Sequence, residues 1–493
     1  MSNEVRVRIA PSPTGRFHIG TARTALFNYL FAKKFDGKFI VRVEDTDRER
    51  QDDDSLEDIL EGLKWLGMDW DEGPRVDGPF GPYFQHQRLG IYQPFVDQLI
   101  EKKLAYPCYC TTEELATERE SQQKKGVAPK YSGHCRHLTQ IELDRFEREG
   151  RPKAIRFVVE DQVIKFEDLI KGSVEFDAKL FGDFIIQRSD GLPLFVLSNV
   201  IDDNLMKISH VLRGEEHLVN TAKQILLANA LNFLNPQFGH FPLIFNADRT
   251  KMSKRRNPVS ITDDYKKRGF LPDALVNFIA LLGWSSGTDR EIFSMEELIS
   301  EFDLTHVGKS PSIFDTEKLL WMNSYYIRQK SIGEVAELGR QFITNPKLEE
   351  LISARTDYYL EAIALVHDRL KTLSEIEDQI GYFFIAPKYE PELLIAKKST
   401  KENTLAALKS ALEVVTNLKV IALDQVELAL RQTAAELKIN DGELLWAVRV
   451  ALSGRSASPG AFELLEVIGK EESVKRLQSA IGMLTKNLDT KLI

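Results

Sequence analysis

Two short stretches, far apart in the chain, hold residue types that handle phosphate. The first is Pro11-Ser12-Pro13-Thr14-Gly15 followed by His18-Ile19-Gly20-Thr21. Pro11, Pro13 and Gly15 break regular structure, and from about Thr21 the residues Ala22, Leu26, Tyr29 and Leu30 fall at helical spacing. The motif therefore stands at a helix N-terminus, whose unpaired N–H groups and partial positive charge favour anions. Gly20 withholds a Cβ that would keep a nucleotide at a distance, and His18 can donate a hydrogen bond to a phosphoryl oxygen whose charge rises during displacement at phosphorus. The second stretch is Lys251-Met252-Ser253-Lys254-Arg255-Arg256. Two lysines, Lys251 and Lys254, on one short loop can neutralise a pyrophosphate that leaves when ATP gives up its adenylyl group, and such a loop can close once ATP arrives. Alone, a histidine in a turn is more often structural and a basic run is more often a solvated loop.

The elements that must position these groups are legible nearby. Val5-Arg6-Val7-Arg8-Ile9-Ala10 alternates apolar and charged residues as a strand does, and Lys38-Phe39-Ile40-Val41-Arg42-Val43 is a second strand that ends at Glu44-Asp45-Thr46-Asp47. Strand, helix, strand makes a βαβ unit of an open parallel sheet, with a ligand crevice at the strand ends. Residues from about 101 to 190 read as an insertion, with close cysteines, a polar helix near 113–125 and short strands at 154–159 and 184–188. Beyond Ser331 the apolar residues turn helical: Val366, Leu370, Leu373, Ile376 and Ile380 form one series, and Leu405, Leu408, Leu412 and Val415 another.

A chain of 493 residues is too long for one core and should divide into about three to five units. Hydrophobic residues at 43% and charged residues at 28% are those of a globular protein, and no run of apolar residues is long enough to span a bilayer. The start, Met1-Ser2-Asn3-Glu4-Val5-Arg6, has neither a signal-peptide core nor a basic amphipathic leader, so cytoplasm is the expected location. A net charge of −9 does not exclude a nucleic-acid partner, because the basic loop at 251–256 can meet phosphate locally.

The pairing of the two phosphate motifs resembles the hallmarks of class I aminoacyl-tRNA synthetases. The match is more specific than the class. Arg8 to Gly15, Ala22 to Asn28, Val43 to Asp47, Arg213-Gly214-Glu215-Glu216-His217 and Trp321-Met322-Asn323 resemble bacterial-type glutamyl-tRNA synthetases over the full length. The resemblance implies glutamate attack on the α-phosphorus of ATP, with Mg2+ on the triphosphate, then transfer of glutamate to the terminal adenosine of tRNA(Glu). It implies an α/β fold, with a class I Rossmann-like parallel-sheet catalytic domain at 1–100 and 191–240 and an α+β acceptor-binding insertion at 101–190. A stem-contact region at 241–330 and an all-helical anticodon-binding region at 331–493 complete the expected division. The family includes members that charge tRNA(Glu) alone and members that also charge tRNA(Gln), and a monomer is the expected state.

By the same resemblance, ATP would be held by Pro11, Ser12, Gly15, His18, Gly20, Glu216, Lys251, Ser253 and Lys254. Glutamate would be held by Arg8, Ala10, Ser12, Glu44, Phe195, Asn199 and Arg213. Arg8 and Arg213 would clamp carboxylate, where the guanidinium fork gives paired bonds, and Glu44 would take the ammonium. Related glutaminyl enzymes have a neutral residue in place of Arg213, which makes this arginine the discriminator between acid and amide. Phe195 departs from the family, which usually has tyrosine there, and that loss of a phenolic hydrogen bond places more of the selectivity on Arg213.

Cys108-Tyr109-Cys110 and Cys135-Arg136-His137 supply three thiols and an imidazole suited to a closed, structural tetrahedral zinc site, the alternative being free buried cysteines. His137 is the expected fourth ligand, with Tyr131 or His134 in reserve. Arg449, Ser458 and Pro459 match positions that touch the anticodon in the bacterial family, although Arg449 equally suits a solvated helix face. The rivals are a short relative that glutamylates a tRNA base, which lacks a C-terminal helical third, and an inactive homologue, which would not need the two lysines of the basic loop.

Overall fold

The structure, a computed structural model, describes residues 4–46, 53–250 and 260–489. The sequence expectations for Asp47 and for the basic loop at 251–256 lie outside the described residues. The chain forms two compact units: Met1–Lys266 with Pro272–Thr316, and Lys267–Leu271 with Glu317–Ile493.

In the first unit, strand β1 (Arg6–Ile9) is buried along its length, as a strand covered on both faces must be, and pairs in parallel with β2 (Lys38–Val41) from Arg6↔Lys38 to Ile9↔Val41. Between them runs α1 (Ile19–Lys34). It begins two residues earlier than its apolar spacing suggests, because the His18 ring is the N-cap: its Nδ1 accepts from the Thr21 N–H at 3.3 Å. β2 is two residues shorter than expected, yet the chain stays extended beyond it, with Arg42 N–H on Ile9 C=O at 3.0 Å and Glu44 N–H on Pro11 C=O at 2.9 Å. Those two bonds carry Glu44 to the sheet edge.

Helices α2 (Asp53–Trp65) and α3 (Leu89–Glu101) follow, and then an antiparallel sheet of β3 (Ala105–Cys108), β4 (Ala154–Phe157) and β7 (Phe184–Gln187). Two polar helices, α4 (Thr112–Lys124) and α5 (Gln140–Arg148), cross between β3 and β4, each opened by a capping box, Thr111 with Glu114 and Thr139 with Glu142. The hairpin of β5 (Val163–Asp168) and β6 (Gly172–Asp177) lies inside the range assigned to the insertion but joins a different sheet. It extends the order β6-β5-β9-β8, in which β8 (His210–Gly214) and β9 (Gln237–Phe241) are parallel. Helices α6 (Phe195–Leu205) and α7 (Leu218–Leu231) flank β8 in sequence. Ser209 N–H bonds Arg6 C=O at 2.9 Å, so the start of β8 lies beside β1 and the C-terminal ends of both strands open on one crevice. Among the described residues no helix is long and apolar enough to cross a membrane.

The second unit is helical apart from turns. The series at Val366, Leu370, Leu373, Ile376 and Ile380 is buried throughout, but it is not one helix. Helix Thr356–Val366 gives way to short 3-10 turns and an extended Leu370 before a new helix, Ile376–Phe384. The break has a tertiary cause: Leu373 N–H bonds Gly269 C=O at 2.9 Å, which takes that donor out of a helix ladder. Gly269 has φ +75°, and a Cβ there would stand 2.5 Å from the Ser374 backbone nitrogen. Gly269→Ala is therefore expected to destabilise the second unit by about 2 kcal/mol, seen as an earlier urea midpoint; an unchanged midpoint would contradict this account of the break.

Candidate active site

The loop after β1, the start of α1, the start of α6 and the end of β8 enclose a cavity of about 580 Å³. Arg8 and Ala10 enter from β1, Pro11, Ser12 and Gly15 from the loop, and His18 and Gly20 from the α1 terminus. Phe195 and Asn199 come from α6, Arg213 from β8, and Glu216 from the turn that follows it. Every expected ATP or glutamate ligand among the described residues thus lines this cavity, except Glu44, which reaches it through Asn199. Lys251, Ser253 and Lys254 lie outside the described residues.

Four of the lining groups are guanidiniums, Arg8, Arg16, Arg23 and Arg213, and the expected glutamate ligands among them are Arg8 and Arg213. Arg8 is 3% exposed and forks onto Asp203, Nε to Oδ1 at 3.0 Å and Nη2 to Oδ2 at 3.1 Å, while Nη2 also donates to Asn199 Oδ1 at 3.1 Å. Asn199 and Asp203 stand four apart on α6, so one helix face presents both acceptors to β1. Arg42, wholly buried, donates to the same carboxylate at 2.6 Å. Asp202, one residue earlier and facing another way, accepts from Gln85 at 2.9 Å, Arg88 at 2.7 Å and Tyr92 at 2.9 Å. Burial opposes charge on Asp203, but the Arg42 and Arg8 guanidiniums outweigh it and hold its carboxyl below the usual range.

Arg213, 6% exposed, lines the same cavity from the end of β8. Its Nη2 donates to Thr221 Oγ1 at 2.7 Å and Gln224 Oε1 at 2.6 Å, both on α7, and its Nη1 is buried with no hydrogen-bond partner among the described residues. Burial, and then repulsion from Arg8, pull its pKa down to about 9. A cation so placed lacks a compensating anion of its own, and an anionic group entering the cavity would supply one.

Glu44 stands beside the Arg8 cluster. Its carboxylate accepts from the Asn199 amide and lies 3.6 Å from Arg42, with 7% of the side chain exposed. Burial pushes its pKa up to about 7, despite the neighbouring Arg42 and Arg8. Guanidiniums and a carboxylate gathered at one cavity match a molecule with an ammonium and two carboxylates.

At the start of α1 the His18 ring meets Thr21, Nδ1 with the backbone N–H and Nε2 near the hydroxyl at 3.1 Å. A Cβ at Gly20 would stand 3.2 Å from this ring, so a larger residue here would crowd the cap. Phe195 packs at a tilt against His217 with centroids 5.5 Å apart, and burial followed by the charges of Arg213 and Arg8 hold the His217 imidazole down at about 4, hence neutral. His217 received no role from the sequence, although it sits within a matched stretch. Asp203, Arg42, Thr221, Gln224, His240 and Asp168 were also missed; for Asp203 the signal was available, namely its spacing of four from Asn199.

Away from the cavity, the Cys108, Cys110 and Cys135 sulfurs lie within 4.8 Å of one another. A tetrahedral zinc with Zn–S of about 2.3 Å holds sulfurs about 3.8 Å apart, so the trio fits such an ion. His137 is exposed and stays out of the cluster, because residues two apart on the 3-10 turn His134–His137 face different directions. Tyr131 stands there instead, its hydroxyl 3.5 Å from both Cys108 and Cys110 and accepting the Cys135 N–H at 2.8 Å. Hydrogen bonding from Cys135, then from Tyr131 and Arg156, brings the Cys108 thiol down to about 4, the thiolate a metal needs.

In the helical unit, Arg449 donates to Ser456 C=O at 2.8 Å and lies 4.8 Å over the Trp446 ring. Ser458 is 3% exposed and bonds Pro459 C=O at 3.0 Å, and Pro459 is buried as well. These two shape the turn, so of the three expected anticodon residues it is Arg449 that offers a polar group outward.

Comparison with known proteins agrees with this layout. The family described as tRNA synthetases class I (E and Q), catalytic domain, matches residues 4–321, and the one described as anticodon binding domain matches 334–481. Glutamate–tRNA ligase 1 of Syntrophomonas wolfei is 44% identical over 490 residues, 99% of this chain and 98% of that protein. The glutamate–tRNA ligase of Moorella thermoacetica is 43% identical over 489 residues, 99% of this chain and 100% of that one. A crystal structure of a glutamate tRNA ligase from Elizabethkingia meningosepticum, in complex with its amino acid, superposes with a TM-score of 0.85 at 33% identity, covering 98% of this chain and 100% of that one. With a family model across most of its length, and a cavity at the strand ends that carries the family's motifs, the chain belongs to the class I tRNA synthetases of the E and Q group.

Proposed function

We propose that the chain is a glutamate–tRNA ligase, which activates L-glutamate with ATP and then glutamylates the 3′-terminal adenosine of tRNA(Glu). In the first step a glutamate α-carboxylate oxygen bonds to the α-phosphorus and the bond to the bridging oxygen breaks, releasing pyrophosphate. In the second, the ribose hydroxyl takes the acyl group and AMP leaves. The observation that carries the reading is the buried pair Arg8 and Arg213 opening on the same cavity as the His18-capped helix terminus, with Glu44 and Asn199 at its edge. Relatives that match over nearly the whole chain bear the same activity in their names.

In this reading Arg213, with Arg8, receives the side-chain carboxylate of glutamate, Glu44 receives the ammonium, and Ala10, Ser12, Phe195 and Asn199 complete the amino-acid site. Pro11, Ser12, Gly15, Gly20 and Glu216 shape the ATP site and His18 donates to phosphate, while Lys251 and Lys254, with Ser253, neutralise pyrophosphate. Mg2+ would screen the triphosphate. Zinc, held by Cys108, Cys110, Cys135 and Tyr131, would tie the β3 end to the segment before α5 within the acceptor-binding insertion. Residues 241–330 would meet the tRNA stem and the C-terminal helices the anticodon, with Arg449 as the contact. The enzyme would act as a cytoplasmic monomer.

Charging with radiolabelled glutamate, ATP and magnesium tests the reading: purified tRNA(Glu) is expected to be charged, and charging of tRNA(Gln) as well would mark a non-discriminating enzyme. Charging of neither would overturn the proposal. Because Glu44 has to be ionised to receive an ammonium, and protonation near pH 7 removes that charge, the KM for glutamate should rise about tenfold per unit as pH falls below 7. Glu44→Gln should show a high KM with no such dependence, and a flat parental profile would exclude Glu44 from the role. Metal analysis should find zinc near one per chain, retained in His137→Ala and lost in Cys110→Ser; loss in His137→Ala would restore histidine as the ligand.

A further inference from the structure

A carboxylate, an imidazole and a guanidinium stand in one row across the sheet of β5, β9 and β8. Arg213 on β8 lies opposite His240 on β9, and Asp168 ends β5 opposite Phe238 of β9. Asp168 Oδ2 is 2.6 Å from His240 Nδ1, with both side chains closed off from solvent. Its other oxygen accepts the backbone N–H groups of Ile170 at 3.0 Å, Lys171 at 2.8 Å and His240 at 3.2 Å. An ionised carboxylate only accepts, so the proton between the two side chains belongs to Nδ1 and His240 Nε2 keeps its lone pair. Burial, the largest influence on this histidine, keeps the imidazole below its ordinary pKa and so in the neutral form.

That lone pair faces Arg213. His240 Nε2 is 3.5 Å from Arg213 Nε and 2.9 Å from Thr221 Oγ1, which itself accepts from Arg213 Nη2. With Gln224 on Nη2, acceptors line the Nε–Nη2 edge of the guanidinium, and Nη1 is the nitrogen left without a hydrogen bond among the described residues. The opposite tautomer would point an N–H at Arg213 and withdraw one of these acceptors.

We propose that Asp168 and His240 are positioning residues for recognition of the substrate's side-chain carboxylate: Asp168 fixes the Nδ1–H tautomer of His240, whose Nε2 holds the Arg213 edge so that Nη1 meets the acid. The inference rests on Arg213 being the ligand of that carboxylate, as in the proposed function. It also gives the β5–β6 hairpin, inside the range expected to serve tRNA alone, a part in amino-acid selection.

Asp168→Asn is a narrow probe, because its remaining oxygen can still accept the three backbone N–H groups while its amide N–H faces His240 Nδ1 and forces the wrong tautomer. In charging assays with the full-length enzyme and tRNA(Glu), Asp168→Asn and His240→Leu are expected to raise the KM for glutamate about tenfold, with the KM for ATP and the Tm little changed. His240→Gln, whose Oε1 can stand in for Nε2, should recover most of the loss. Parental glutamate KM in Asp168→Asn and His240→Leu, beside an Arg213→Ala enzyme that has lost charging, would overturn the relay and leave the Arg213 assignment standing. Parental charging by Arg213→Ala would remove both. Equal losses for glutamate and ATP with a lowered Tm would also overturn the proposal, since they would mark the pair as structural.

Discussion

Everything around the cavity follows from one constraint: guanidinium groups must be kept ionised where water is absent. An unpaired buried charge costs several kcal/mol, and breaking such a pair by removing one partner typically costs about 3–5 kcal/mol. Arg8 and Arg42 meet the constraint by sharing Asp203, and Arg88 meets it with Asp202. Arg213 does not meet it fully, since its described hydrogen-bond partners Thr221, Gln224 and His240 are neutral, and Asp203, Glu44 and Glu216 only partly offset its burial and the repulsion from Arg8. In the proposed function, the positive field left over is what the acidic side chain of the substrate neutralises.

The fold supplies the geometry that this electrostatic arrangement needs. Parallel strands end together, so β1 and β8 deliver Arg8 and Arg213 to a common edge, and the chain beyond β2 brings Glu44 to the same side. Helix α6 adds Asn199 and Asp203 from a single face, fixing Arg8 and reaching Glu44 together. The helix terminus capped by His18 lies on the same cavity, so in the proposed function the phosphate end stands beside the amino-acid end, as attack of a carboxylate on the α-phosphorus requires.

Local signals were legible in the sequence, and non-local ones were not. The alternation at 5–10, the break at Pro11 to Gly15 and the helical spacing after it located β1, the loop and α1, and the family motifs named most of the cavity residues. Spacing found the three cysteines but ranked His137 above Tyr131, because a Cys-x-His pattern suggests two ligands on one turn, whereas His137 on its 3-10 turn is exposed. Periodicity identified the buried side chains at Val366 to Ile380 but not the two interruptions of the helix, which come from a backbone bond to Gly269 about a hundred residues earlier. The Asp168–His240 pair left no trace in the sequence, since its members meet through strand register alone.

The most direct test is the ratio of kcat/KM for glutamate to that for glutamine, measured with saturating ATP and tRNA(Glu) for the parent and for Arg213→Gln. The account predicts that the parent strongly prefers the acid and that the variant's ratio falls about a hundredfold or more, because its amide no longer offers a cation to a carboxylate. An Arg213→Gln enzyme that kept the parental ratio would contradict the claim that this under-paired, buried guanidinium selects the substrate.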